Sequence, residues 1–375
     1  MKKISVCLII KGFHNGGVEK VFESYFSVMD RSELDLHIVT HMKAYEPRKK
    51  LFEEMGFTIH ELSPIHITRL TPRNFREYRD LFRNNKFDVI HNNFPEYLLP
   101  LYFAKKNNVP LRILHTHNDY WRMTEILNPI KRKIIRKIID LNVAKYSNML
   151  IGCGETAFRN TYGMDPYGSK RMILNNAIDL SRFAFKEETR ERIRNELGIG
   201  TECVMGHVGR YEGVGQKNQP FVLDVFEKFS QKNPESRLLM IGEGKGRKYV
   251  MDLAEEKGLG DRVIFTGAIP NVNEYLQAMD YFVFPSLHEG LGISAVEAQA
   301  TGLPCIASDG VPEEACLTDR CKRISLNKGA EYWADELINM GVNHNREDYF
   351  NRKEMLPYDI YSCAEQLKDI YIGCK

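Results

Sequence analysis

Two doubly wound α/β domains, each a parallel sheet covered by helices on both faces, are the architecture this sequence predicts. Three observations predict it. Short apolar runs alternate with amphipathic stretches through nearly all of the 375 residues. The alternating series then runs a second time, and at about 150 residues per domain the length suits two such units. Between the two series lies a polar turn, Asn175-Asn176-Ala177-Ile178-Asp179.

The elements follow in order. Met1-Lys2-Lys3 ahead of the run Ile4–Ile10 has the look of a signal peptide, but there is no small-residue cleavage site and the run meets Lys11 at once. A first buried strand is expected instead. Leu36–Thr40, Val89–His91, Leu111–His115 and Met149–Gly152 read as further buried strands. Val18–Met29, Phe75–Phe82, Tyr97–Lys106 and Ile130–Ala144 have helical periodicity. In the second series Val204–Val208, Arg237–Ile241, Val263–Thr266, Tyr281–Phe284 and Pro304–Ala307 are strands. Phe221–Gln231, Lys248–Lys257, Glu274–Met279 and Ser294–Thr301 are helices. An amphipathic tail, Tyr358–Ile372, closes the chain, with Ile360, Leu367, Ile370 and Tyr371 near one stripe. The expected domains are residues 1–176, completed by a C-terminal helix over 358–375, and residues 177–357. Two such domains place a cleft between them, and ligands of open α/β sheets bind beyond the carboxyl ends of the strands.

Composition narrows the function. With 43% hydrophobic and 27% charged residues, disorder, collagen and a disulfide scaffold are excluded. No window reaches about 18 consecutive apolar residues, so no transmembrane helix is expected. Eight cysteines contain no CxxC pair, which argues against a zinc ribbon and for a reducing cytoplasm. Cys7, Cys203 and Cys305 read as small core residues. The net charge of +2 hides an asymmetry: residues 1–185 hold 29 Lys and Arg against 19 Asp and Glu, the remainder 23 against 31. A first half at +10 suggests an anionic partner, nucleic acid or an anionic membrane surface, or simply a solvated basic face.

Four constellations carry chemistry. In Pro285-Ser286-Leu287-His288-Glu289-Gly290-Leu291-Gly292-Ile293-Ser294-Ala295-Val296-Glu297-Ala298 a strand ends in a Gly-bounded loop and a helix follows. Gly290 and Gly292 let backbone approach a ligand, and the helix start can receive a phosphate. Glu289 and Glu297 can face one pocket, Glu297 bonding vicinal hydroxyls as acids do on ribose. Each Glu alone also fits a helix N-terminus that complements the dipole. The second constellation, His207-Val208-Gly209-Arg210 followed by Gln216-Lys217-Asn218, puts two cations at a strand's carboxyl end. Arg as a fork and Lys as a point charge could clamp a diphosphate.

The third, Lys11-Gly12-Phe13-His14-Asn15-Gly16-Gly17-Val18-Glu19-Lys20, is a glycine-rich turn that lacks both GxGxxG and the P-loop GK[ST]. Gly16 and Gly17 let backbone N–H groups approach a bound group, or simply make a tight turn. The fourth, His115-Thr116-His117-Asn118-Asp119, has two His near an Asp but no third ligand at supporting spacing. A polar strand end is expected there. Neither GxSxG nor HExxH is present.

Together these motifs resemble the retaining family 4 glycosyltransferases. The resemblance rests on Gly-Arg…Lys-Asn, on Glu289-x7-Glu297 and on Glu297-Ala298-Gln299-Ala300-Thr301-Gly302-Leu303-Pro304. It extends to Gly16-Gly17-Val18-Glu19 and the Asn176-Ala177-Ile178-Asp179 seam, and Pro285–Asp309 is most similar to enzymes of bacterial capsule and exopolysaccharide synthesis. It implies the GT-B fold, two Rossmann-like domains facing across a cleft, with the donor bound mainly to the second and the C-terminal helix crossing back to the first.

By resemblance, Arg210 and Lys217, beside Gly209, contact the donor diphosphate. Glu297 binds the ribose. Glu289, with Gly290, Leu291 and Gly292, lies by the donor sugar and its phosphates. Gly16 and Gly17 approach donor phosphate or acceptor. His117, and after it His115, faces the reacting sugar. The backbone of Phe265, Thr266 and Gly267 meets the uracil. Two departures stand out: the Arg210–Lys217 loop is two residues longer than usual in relatives, and Ala177 replaces a common Gly.

The implied activity is transfer of a hexosyl or related sugar, with retention, from a UDP-sugar to a hydroxyl of a lipid-linked glycan. No cofactor beyond this co-substrate and no metal is expected, because placed cations and helix N–H groups can stabilise the departing diphosphate. A GT-B epimerase or phosphorylase is an alternative. So is a non-catalytic binding module for sugar nucleotides or nucleic acid, but nucleic acid leaves the motifs unexplained. The expected site of action is the cytoplasm, at the inner face of the membrane. Asn128–Lys145 supports a membrane surface, because Lys131, Arg132, Lys133, Arg136, Lys137 and Lys145, against only Asp140, flank Ile130, Ile134, Ile138 and Leu141 at helical spacing, with Ile135 and Ile139 widening the stripe.

Overall fold

The structure, a computed structural model, describes residues 2–13, 17–42, 46–66, 69–117, 127–164, 169–211, 215–347 and 349–374. The chain forms two compact units, residues 1–177 with 358–375, and residues 178–357. Ala177 packs in the core of the first unit.

In the first unit the described strands are β1 (Ile4–Ile10), β2 (Leu34–Thr40), β3 (Phe57–Glu61), β4 (Val89–Asn92), β5 (Leu111–Thr116), β6 (Met149–Gly152) and β7 (Lys170–Ile173). They pair in parallel in the order β3-β2-β1-β4-β5-β6-β7. β1 is buried at all seven positions because helices cover both faces of the sheet, which is why its sequence is continuously apolar rather than alternating. On one face Phe22, Tyr25 and Phe26 of the helix Gly17–Val28 pack with Cys363, Leu367 and Tyr371 of the C-terminal helix Ile360–Ile372. On the other face Tyr78, Leu81 and Phe82 pack with Leu101, Phe103, Ile135 and Ile139.

The second unit has β8 (Cys203–Val208), β9 (Ser236–Ile241), β10 (Val263–Gly267), β11 (Tyr281–Phe284), β12 (Cys305–Ser308) and β13 (Cys321–Ile324), in the parallel order β10-β9-β8-β11-β12-β13. The order reverses between β8 and β11, so the loops leaving these two strands diverge and open a crevice at their carboxyl ends. Arg346 locks the segment behind it. Its buried guanidinium donates to the carbonyls of Leu276, Gln277, Met279 and Thr301.

The periodicity misplaces three details. The three polar edge strands β3, β7 and β13 carry no apolar run, since an edge is covered less completely than the sheet centre. The expected helix Ile130–Ala144 is helix only over Pro129–Leu141 and ends in a π-helical turn, Asn142–Tyr146. Its apolar stripe is also divided: Ile135 and Ile139 are buried, while Ile130, Ile134 and Leu141 face outward. Cys7 and Cys305 are core residues, whereas Cys203 is only partly buried.

Candidate active site

The crevice of the second unit gathers the two strongest sequence motifs. After β8 the chain passes Gly209 and Arg210; after β11 it passes Pro285 to Gly292. Lys217 Nζ donates to Glu289 Oε1 at 2.6 Å and stands 4.7 Å from the Phe284 ring centre. Glu289 is 8% exposed, so its carboxylate is largely desolvated, and the ammonium compensates for that burial. The two loops are also joined through their backbones. Leu287 N donates to Gln216 O at 2.7 Å, and the Gln216 amide donates to His288 O at 2.7 Å.

Two glycines are required here by close approach. A Cβ on Gly209 would lie 2.8 Å from His207 Nε2 and 3.0 Å from Lys217 Cγ, so a side chain would displace the lysine stem. A Cβ on Gly310 would lie 2.3 Å from Leu287 O, and Gly310 O accepts from Glu289 N at 3.1 Å. Gly310 thus fixes the loop that carries Glu289, and lies just beyond the stretch the sequence singles out. His207 opens the second constellation, where the resemblance assigns it no role. Its Nδ1–H donates to Val283 O at 2.9 Å, burial holds its pKa down to about 4, and Nε2 remains a buried acceptor with no partner among the described residues.

The remaining expected residues of the second unit lie on neighbouring loops and elements. Arg210 is exposed, and its carbonyl accepts from Gln219. Gly290, Leu291 and Gly292 are buried, and Gly292 caps the helix Ile293–Ala300 in a left-handed conformation (φ +89°) with no side-chain cap. That end of the helix points its N–H groups at the same loop. Glu297 is half-buried in the second turn. Phe265, Thr266 and Gly267 end β10, where the register shifts at a bulge. Arg247 donates to Phe265 O at 3.3 Å.

In the first unit, His117 is 8% exposed and both of its ring nitrogens are engaged. Nε2 lies 2.9 Å from Asn93 Oδ1, and the Asn93 amide is oriented by its own donation to Ile9 O. Nε2 therefore carries the proton. Nδ1 lies 3.3 Å from Asn176 Oδ1, a second oxygen to which the neutral ring has no further proton to give, and burial lowers the ring's pKa to about 4. His115 stacks on His117 with ring centres 3.9 Å apart. It continues a buried chain, His115 Nδ1 to His91 Nε2 at 3.1 Å and His91 Nδ1 to the Tyr371 hydroxyl at 2.7 Å. Burial pushes the pKa values of His91 and His115 well below the usual range. The sequence assigns His91, Asn93 and Asn176 no chemistry, and Tyr371 only a place on the apolar stripe of the C-terminal helix. The available signal was a histidine on each of two strands that pair. Gly17 begins its helix, whereas Gly16, Asn118, Asp119, Gly213 and Val214 lie outside the described residues.

Two family descriptions match, Glycosyltransferase Family 4 over residues 15–182 and Glycosyl transferases group 1 over residues 189–327. EpsF of Bacillus subtilis, named as a glycosyltransferase, is 26% identical over 97% of this chain and 95% of its own. The capsular polysaccharide biosynthesis glycosyltransferase CapH of Staphylococcus aureus is 26% identical over 99% of each chain. An Escherichia coli enzyme named UDP-Gal:alpha-D-GlcNAc-diphosphoundecaprenol alpha-1,3-galactosyltransferase is 28% identical over 78% of this chain and 77% of its own. Among solved structures, Anabaena HepE in complex with UDP superposes with a TM-score of 0.79 at 15% identity, covering 100% of both chains; at that identity the likeness concerns the fold.

Proposed function

The chain belongs to the group 1 and family 4 glycosyltransferases, and we propose that it moves a sugar from a UDP-sugar to a hydroxyl of a lipid-linked glycan during capsule or exopolysaccharide synthesis. The observation that carries this reading is the meeting of Lys217 and Glu289 at the β8/β11 crevice, beside Arg210 and the uncapped helix start. A diphosphate arriving there finds a cation, N–H donors and a backbone that glycine keeps close. The names of the CapH and E. coli relatives support the polysaccharide setting and the diphosphate-lipid acceptor.

The reaction breaks the bond from the sugar's anomeric carbon to the donor phosphate and forms one to the acceptor oxygen on the same face. The acceptor's proton passes to the departing phosphate. Arg210, Lys217 and the helix N–H groups stabilise the negative charge that grows there, without a metal. Glu297 holds the ribose, Glu289 orients the donor sugar, and the backbone of Phe265, Thr266 and Gly267 receives the uracil. His117 acts on the sugar side as a neutral ring.

Calorimetry with UDP tests the division of roles. Glu297→Ala weakens UDP binding by about tenfold, as loss of one charged hydrogen bond would. Glu289→Gln leaves UDP affinity within threefold but lowers turnover. Equal losses of UDP affinity in both variants would sink the assignment. Turnover that collapses after chelation of divalent ions would overturn the metal-free mechanism. Among the described residues no helix is long and apolar enough to cross a membrane, and the reading places the enzyme on an anionic membrane surface, where its acceptor is anchored.

A further inference from the structure

We propose that the groove between the helices Pro72–Asn84 and Leu99–Lys106 is a seat for the phosphate headgroup of an anionic phospholipid. The groove has a volume of about 400 Å³ and lies on the first unit. Its lining combines aromatic surface from Phe75, Tyr102 and Phe103 with the cations Arg76, Arg79 and Lys106. Phe75 is 42% exposed, which is unusual for a ring of its size. Arg79 has a carboxylate within reach, Asp80 at 3.6 Å. Arg76 and Lys106 form no ion pair with any described residue. Unpaired cations beside aromatic surface of which Phe75 is exposed favour an anion whose other end is apolar.

The surroundings select a lipid over a soluble anion. An aromatic row, Phe75–Phe103–Tyr102–Tyr146, leads from the groove to the π-helical turn Asn142–Tyr146. That turn continues the helix Pro129–Leu141, whose outward face exposes Ile130, Ile134 and Leu141. Lys131, Lys133 and Lys137 flank these side chains, likewise without an ion pair among the described residues. Groove and stripe lie over the same face of the first sheet, since Tyr78, Phe103 and Ile139 share one core. Apolar side chains that enter the acyl boundary, ringed by cations at headgroup level, are the arrangement of an interfacial surface. A soluble acidic glycan would leave the exposed isoleucines without a purpose.

This inference rests on the membrane setting proposed above, and one experiment separates the two. The full chain is sedimented with vesicles of phosphatidylcholine and phosphatidylglycerol at low salt. Wild type is expected in the pellet. Arg76→Ser with Lys106→Ser is expected to lower partitioning about 30-fold, two cations each contributing roughly a fivefold factor near the surface. Arg83→Ser with Lys86→Ser, which removes the same charge outside the groove, is expected to lower it less than threefold. Thermal melts check that each variant is folded. If wild type pellets and the two double variants behave alike, the seat is refuted while the membrane setting stands. If wild type stays in the supernatant, both fall. If soluble polygalacturonate binds through Arg76 and Lys106 and displaces the vesicles, the groove belongs to an acidic glycan and the lipid assignment is overturned. UDP affinity, measured on the same samples, reports on the transferase reading independently.

Discussion

Lys217 has two tasks, and they make its substitution more costly than a surface lysine's. In the proposed reaction it faces the place where charge develops, and in the structure it neutralises the largely buried Glu289. Lys217→Met therefore strands a carboxylate, at a cost of about 1–3 kcal/mol once the lysine's partial exposure is allowed for. Adding Glu289→Gln removes the stranded charge and should restore most of that stability without restoring turnover. Denaturant melts and turnover of the four members of this cycle separate the tasks. Full activity in Lys217→Met would show that the lysine is structural only. Both residues stand out in the sequence, because glycines and a strand end bracket each. Their pairing does not, because they lie 72 residues apart and meet only when β8 and β11 become neighbours.

At the scale of elements, the C-terminal helix is tied to the first sheet by a polar contact as well as an apolar one. Tyr371, on that helix, reaches His91 on β4, which in turn reaches His115 on β5. All three are fully buried, so Tyr371→Phe leaves His91 Nδ1 unpaired in the core. The expected loss is about 1–3 kcal/mol in a urea melt of the full chain. A melt that does not move would mean that the hydroxyl contributes nothing to docking. The amphipathic stripe of this helix is legible in the sequence; the histidine chain is not, since it depends on strand order. The central strands are legible for the opposite reason. Buried on both faces, β1 and β11 need no partner to announce themselves as apolar runs. Strands β7 and β13, Lys170–Ile173 and Cys321–Ile324, are half polar because each lies at an edge, so pattern alone passes over them. The helix Pro129–Leu141 shows a further limit: a stripe of six apolar residues is visible in the sequence, but which of them faces the sheet is fixed only by packing.

Across the whole molecule, each unit contains a buried neutral histidine, His117 in the first and His207 in the second, both with pKa values lowered to about 4 by burial. An unfolded histidine titrates near 6.5. Below that pH the unfolded chain takes up protons that the folded rings refuse, so stability is full above about 6.5 and is lost as the pH falls toward 4. Each ring can account for at most about 3 kcal/mol by pH 4. Melts between pH 7.5 and 4.5 should show the decline, and replacing His207 with Gln should flatten part of it; a stability profile that is level across this range would contradict the burial of neutral rings. Retaining sugar transfer is the central claim, and the most direct measurement of it follows UDP release and the anomeric configuration of the product by NMR. A panel of UDP-sugars is supplied with and without a diphosphate-lipid glycan acceptor. Retaining transfer predicts UDP release that requires the acceptor, from one or a few donors, with the new glycoside keeping the donor's configuration. Release at the same rate without acceptor, an epimerised free sugar, or a product of inverted configuration would contradict it.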